Sequence, residues 1–141
     1  KRKWSIPTTP VGNIWKVPLP FTLKDEGESI ALLNYLAEYF KSQTDESFGR
    51  FTTKSVDLSL SKRELNVNMN LLPVDLHIFQ NVKIKVKKEK GRFNFDLLIE
   101  RISGRDADWR ILNRDFISRV REQFITWSSL PSEVKKKYML R

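Results

Sequence analysis

The chain has no cysteine, one histidine and only five glycines in 141 residues. Without cysteine there is no disulfide, no thiolate nucleophile and no thiolate-based zinc site. One histidine leaves too few nitrogen and sulfur donors for a transition-metal centre. The glycines stand nowhere in G-x-G-x-x-G or G-x-x-x-x-G-K-[ST] order, so no phosphate-cradling loop is written here. No serine occupies a G-x-S-x-G elbow. Asp25-Glu26-Gly27-Glu28 lacks the ligand spacing of a calcium loop and reads as charge at a helix start. No apolar run approaches the roughly 18–20 residues that span a bilayer. The sequence therefore predicts no cofactor, no metal and no enzymatic activity.

What is present is apolar and basic. Hydrophobic residues make up 40%, with nine Phe and four Trp, enough for one packed core in a chain of single-domain length. Lys and Arg total 26 against 17 Asp and Glu, a formal net charge of +9. Such a field favours anionic partners or serves solubility alone. The chain opens on Lys1-Arg2-Lys3-Trp4 without an initiator Met, the kind of opening that follows a membrane span. On that ground it is expected to be a piece of a larger, membrane-anchored protein.

Two regions are expected: an extended Pro-rich basic arm over 1–24 and a single α+β domain over 25–141. Pro7, Pro10, Pro18 and Pro20 fix φ and bias their neighbours toward extended backbone. Ile14-Trp15-Lys16-Val17 reads as a short edge strand, where flanking prolines are tolerated. A helix is predicted from Glu26 to Ser42, because Ile30, Leu33, Ala37 and Phe40 recur at helical spacing, with Asp25 or Ser29 as cap. Tyr35 and Tyr39 flank that stripe.

From Arg50 to Ser103 the apolar period becomes two, the mark of strands with one buried face. Val56, Leu58 and Leu60 form one run; Leu65, Val67, Met69 and Leu71 another; Val74, Leu76 and Ile78 follow. Then come Val82, Ile84 and Val86, and Phe93, Phe95, Leu97 and Ile99. The phase changes near Gln80-Asn81, at a bulge or a turn. Turns are expected at Ser61–Glu64, Pro73 and Glu89–Gly91. A second helix opens after Gly104, capped by Asp106 or Asp108, and carries Trp109, Leu112, Phe116, Val120, Phe124 and Trp127 on one stripe. Pro131 and Glu133 start a short last helix.

The predicted fold is thus an antiparallel meander of four to five strands, covered by an N-terminal helix and a long C-terminal helix. In element order it resembles cystatin-like or NTF2-like folds, which host unrelated functions.

Two groups of side chains invite a functional reading. Asp75 and His77 would share a strand face, a base with its orienter or, more plainly, an exposed polar pair. Lys83, Lys85 and Lys87 alternate with Val82, Ile84 and Val86, and Lys88, Lys90 and Arg92 continue the patch. This strip either guards an edge strand against pairing or faces an anion, with nucleic acid and an acidic membrane surface as candidates. Phe93 and Phe95 share the buried phase, so the strip lacks stacking aromatics. Arg101, Arg105, Arg110 and Arg114, interleaved with Asp106, Asp108 and Asp115, predict local ion pairs. The expected function is a non-enzymatic protein-interaction or assembly domain, with a protein partner or a second copy bound. The alternatives are nucleic-acid or anionic-surface binding through Lys83–Arg92, and a small ligand or lipid held between sheet and second helix near Trp109, Phe116 or Phe124.

Overall fold

The computed structural model describes residues 9–44 and 50–139. In chain order the elements are β1 (Ile14–Leu23), α1 (Glu26–Lys41), β2 (Phe51–Ser59), β3 (Glu64–Leu71), β4 (Phe79–Glu89), β5 (Arg92–Ser103), α2 (Asp106–Ser129) and α3 (Ser132–Met139). The strands form one five-stranded sheet in the order β1-β5-β4-β3-β2, every neighbouring pair antiparallel. The meander from β2 to β5 is the expected one, and the class is α+β. The expected edge strand at 14–17 runs on to Leu23 and pairs with β5. β1 and β2, joined through α1, therefore lie at opposite edges.

Alternation explains which face is covered. Leu65, Val67 and Met69 of β3, Val82 and Ile84 of β4, and Phe95, Leu97 and Ile99 of β5 are all buried, as are Trp15 and Val17 of β1. Helix α1 adds Leu32, Leu33, Leu36 and Phe40, and α2 adds its predicted stripe, buried except for a half-buried Leu112. Aromatic rings close the layer: Phe124 lies 5.3 Å from Phe95 and 5.0 Å from Phe21, Phe116 lies 5.2 Å from Phe51, and Trp109 lies 5.8 Å from Trp15. These edge-to-face contacts contribute beyond the area they bury.

One polar group crosses this layer. Gln80, wholly buried in β4, accepts hydrogen bonds from Trp109 Nε1 and Asn113 Nδ2, each at 2.9 Å. Helix α2 is thereby pinned in rotation against β4, since a buried donor without a partner is costly. Gly104 has φ +104°, and a Cβ there would stand 2.7 Å from Ile78 Cγ1, so only glycine fits the turn into α2.

Local expectations are corrected in two places and narrowed in a third. Val74, Leu76 and Ile78 do not make a strand. Val74–Leu76 is a single 3-10 turn whose two apolar side chains are exposed, and His77 follows with φ 55°. Pro73 supplies the extended start that separates this turn from β3. The phase change near Gln80 is a bulge between Phe79 and Gln80 inside the β4–β5 pairing. Helix α2 is capped by neither Asp106 nor Asp108. Arg105 holds the cap position without a side-chain bond, and the two aspartates sit in the first turn, where the helix dipole favours them. Helix α1 does use Asp25, which accepts from the Glu28 N–H at 2.8 Å.

Candidate interaction surfaces

The lysine strip lies at the middle of the sheet, not at its edge. β4 is flanked by β3 and β5, so Lys83, Lys85 and Lys87 guard no edge, and they project from the face that the helices leave uncovered. That face alternates charge across strands. Lys85 Nζ stands 4.0 Å from Glu64 Oε1, and Lys87 Nζ stands 3.2 Å from Asp96 Oδ2. Beside Lys83, Asn81 donates to both Asn66 and Asn68, and Asn68 donates to Ser55 at 2.9 Å. Lys16 on β1 shares this face, since it and Lys83 are both register partners of Leu98. Its phase opposite to Trp15 and Val17 was the signal for it.

The rest of the patch occupies the β4–β5 hairpin, whose Lys90 and Gly91 both have positive φ, as a two-residue turn of the primed kind requires. Lys88 Nζ lies 5.9 Å from the Phe93 ring centre, and Arg92 reaches Thr22 at 3.5 Å. None of the exposed large hydrophobic side chains among the described residues is aromatic. The strip therefore presents charge without a stacking platform.

Three other candidates resolve into structure. Arg101 and Arg110 both reach Asp106, at 3.6 and 2.9 Å, and Arg105 reaches Asp108 at 3.8 Å. Asp115 instead serves Arg119 at 2.8 Å and Arg50 at 3.8 Å, beside a polar cleft lined by Tyr39 and Gln123. Burial pushes the Tyr39 phenol above its ordinary range, and the Arg119 guanidinium pulls it partly back. Asp75 and His77 do not form a cross-strand pair; the His77 carbonyl accepts from Ser103 at 3.0 Å. At the place considered for a ligand, Trp109, Phe116 and Phe124 are wholly buried and meet Trp15, Phe51 and Phe95 edge to face.

The two sheet edges differ in what they offer. Asn13 O accepts from Arg101 N–H at 2.8 Å. In an antiparallel ladder, alternate residues turn both backbone groups to the same side. Trp15 and Val17 thus face β5, whereas Ile14, Lys16 and Pro18 face outward. Ile14 spends both its groups on Val11, at 3.1 and 2.8 Å. Pro18 has no N–H, and neither has Pro20 in the irregular stretch that follows. This edge offers a further strand a ladder interrupted by proline.

At β2 the same reasoning gives the opposite result. Leu72 N–H donates to Arg50 O, and Leu71 N–H to Ile78 O, each at 2.9 Å. Even-numbered residues of β3 therefore face β2. Beyond the bulge between Thr53 and Ser55, Asn68 pairs with Ser55, Asn66 with Asp57 and Glu64 with Ser59. Val56 and Leu58 turn their N–H and C=O groups outward, where no backbone partner among the described residues meets them. Below them Thr53 N–H is taken by Gln43 O at 2.8 Å.

Compared with family models, curated proteins and solved structures, the chain matches none. Its likeness to cystatin-like and NTF2-like folds stays one of element order.

Along the open part of β2 runs a groove of about 310 Å³, lined by Asn34, Ala37, Glu38 and Lys41 of α1 and by the half-buried Val56 and Leu58. Glu38 accepts from Tyr138 OH at 2.7 Å, so one wall is braced by α3. The alternation of Val56 and Leu58 was visible in the sequence. That their strand is an edge, with α1 alongside, depends on strand order and was not.

Proposed function

We propose that this chain is a non-enzymatic protein-interaction domain that accepts an extended segment of a partner protein on the open edge of β2. The supporting observation is the outward-facing backbone of Val56 and Leu58 beside the α1 groove. A free strand edge recognises polypeptide backbone, and a flanking pocket selects alternate side chains. The two residues offer four hydrogen-bonding groups, worth about 2–6 kcal/mol together at about 0.5–1.5 kcal/mol each. A micromolar complex needs about 8 kcal/mol. An apolar side chain seated in the groove adds about 1.5–3 kcal/mol.

Binding of nucleic acid or an acidic surface along Lys83–Arg92 has less support, because Lys85 and Lys87 already face carboxylates. A small ligand beside Trp109 has less still, because that ring is wholly buried against Trp15. Selection of random peptides on the immobilised domain, followed by amide hydrogen exchange, tests the proposal. Selected peptides are expected to slow exchange at Val56 and Leu58. Protection confined to Lys83–Arg92, or enrichment of no peptide, would overturn it.

A further inference from the structure

Resting on strand addition at β2, we infer that the segment accepted is acidic at both ends of a short apolar alternation. Charge around the open stretch carries this. Lys41 lines the groove, and Lys54 stands exposed in the bulge at the same end. At the other end Lys62 is exposed in the turn that follows β2. None of these three lysines has a salt bridge among the described residues. The one carboxylate lining the groove, Glu38, accepts from Tyr138 OH at 2.7 Å and keeps its charge, one anion against three cations. Cations thus bracket an apolar floor of Val56, Leu58 and Ala37.

The opposite face sets a second condition. Asp57 lies between Val56 and Leu58 with its side chain on the uncovered face, exposed and without a salt bridge among the described residues. Like charges directly opposite on neighbouring strands repel. The segment's outward-facing positions are therefore uncharged or basic, and its carboxylates belong to the groove-facing positions at each end. Groove-facing residues then read acid, apolar, apolar, acid, with neutral residues between.

A blocked heptapeptide, Glu-Thr-Val-Thr-Val-Thr-Glu, has this pattern in either chain direction. Its binding by titration calorimetry is compared with that of versions carrying Gln or Lys at both ends. The Glu form is expected to bind about tenfold tighter than the Gln form, from two or three exposed pairs, and the Lys form more weakly than either. Added salt should shrink the advantage. Lys41→Glu with Lys54→Glu should remove it.

Val56→Pro should abolish binding of all three peptides, because it deletes an outward N–H that the fold does not use. Since that variant also alters a side chain at the core margin, a Glu peptide N-methylated at its central residues makes the same test on unaltered protein. Equal binding of the three peptides, still lost with Val56→Pro or N-methylation, would overturn the acidic assignment and leave strand addition standing. No binding by any peptide, or binding indifferent to both backbone changes, would overturn the two together.

Discussion

The two faces of the sheet are held by different physics. The covered face is a dry layer of rings, with Phe95, Phe116 and Phe124 wholly or almost wholly buried and meeting other rings edge to face. The uncovered face is a lattice of amides and alternating charge, in which Asn66, Asn68 and Asn81 share hydrogen bonds and Lys87 meets Asp96. Buried apolar contacts are worth several kcal/mol per large side chain. Exposed ion pairs are worth about 0–1 kcal/mol. Stability thus resides chiefly on the covered side. A basic stripe at the centre of a sheet is a weak sign of a ligand when the neighbouring strands carry its counter-charges.

The sharpest way to break this comparison is Phe116→Ala. It removes the ring that meets Phe51 and Phe40 and should cost about 3–5 kcal/mol in urea unfolding. A loss below about 1 kcal/mol would mean that the ring layer does not carry the fold. Next is Gln80→Met, which keeps volume but leaves Trp109 Nε1 without its acceptor and Asn113 Nδ2 with the Trp109 carbonyl alone. We expect a loss of about 2–4 kcal/mol, partly recovered when Asn113→Leu removes one stranded donor. If the double variant is no better than the single one, the amide does not act through these bonds.

The smallest effect belongs to the uncovered face. Changing Lys83, Lys85 and Lys87 together to Gln should move stability by under about 0.5 kcal/mol for each residue. The same variant should leave peptide binding at β2 intact. Filter binding of single-stranded nucleic acid at two salt concentrations completes the test. Tight, salt-sensitive binding lost in the triple variant would hand the function back to the lysines.

Much of the fold was legible because period and burial coincide. The stripe from Trp109 to Trp127 gave α2, and alternation gave β3, β4 and β5 with the correct inward phase. Val74, Leu76 and Ile78 misled because three apolar residues at period two also fit a 3-10 turn followed by one buried residue. Pro18 and Pro20 disguised the length of β1, since a proline forbids a strand only when its nitrogen faces a partner. Asn113 was hidden for another reason: a polar residue on an apolar face finds its role only once Gln80 is opposite. The candidate site lay beyond pattern reading altogether. Lys83 to Arg92 stood out as charge, whereas Val56 and Leu58 look like any strand until pairing shows which side is empty.

The proline-interrupted rim of β1 bears on how far association through β2 can spread. Should two copies join strand to strand at β2, each would turn its β1 outward, and the doubled sheet would terminate in Pro18 and Pro20 on both flanks. Such a contact is isologous and closes on itself with two-fold symmetry, whereas a fibre needs complementary surfaces that repeat without closing. A chain with one receptive rim and one proline-interrupted rim has a built-in brake: it admits one strand and then offers a growing polymer little to extend.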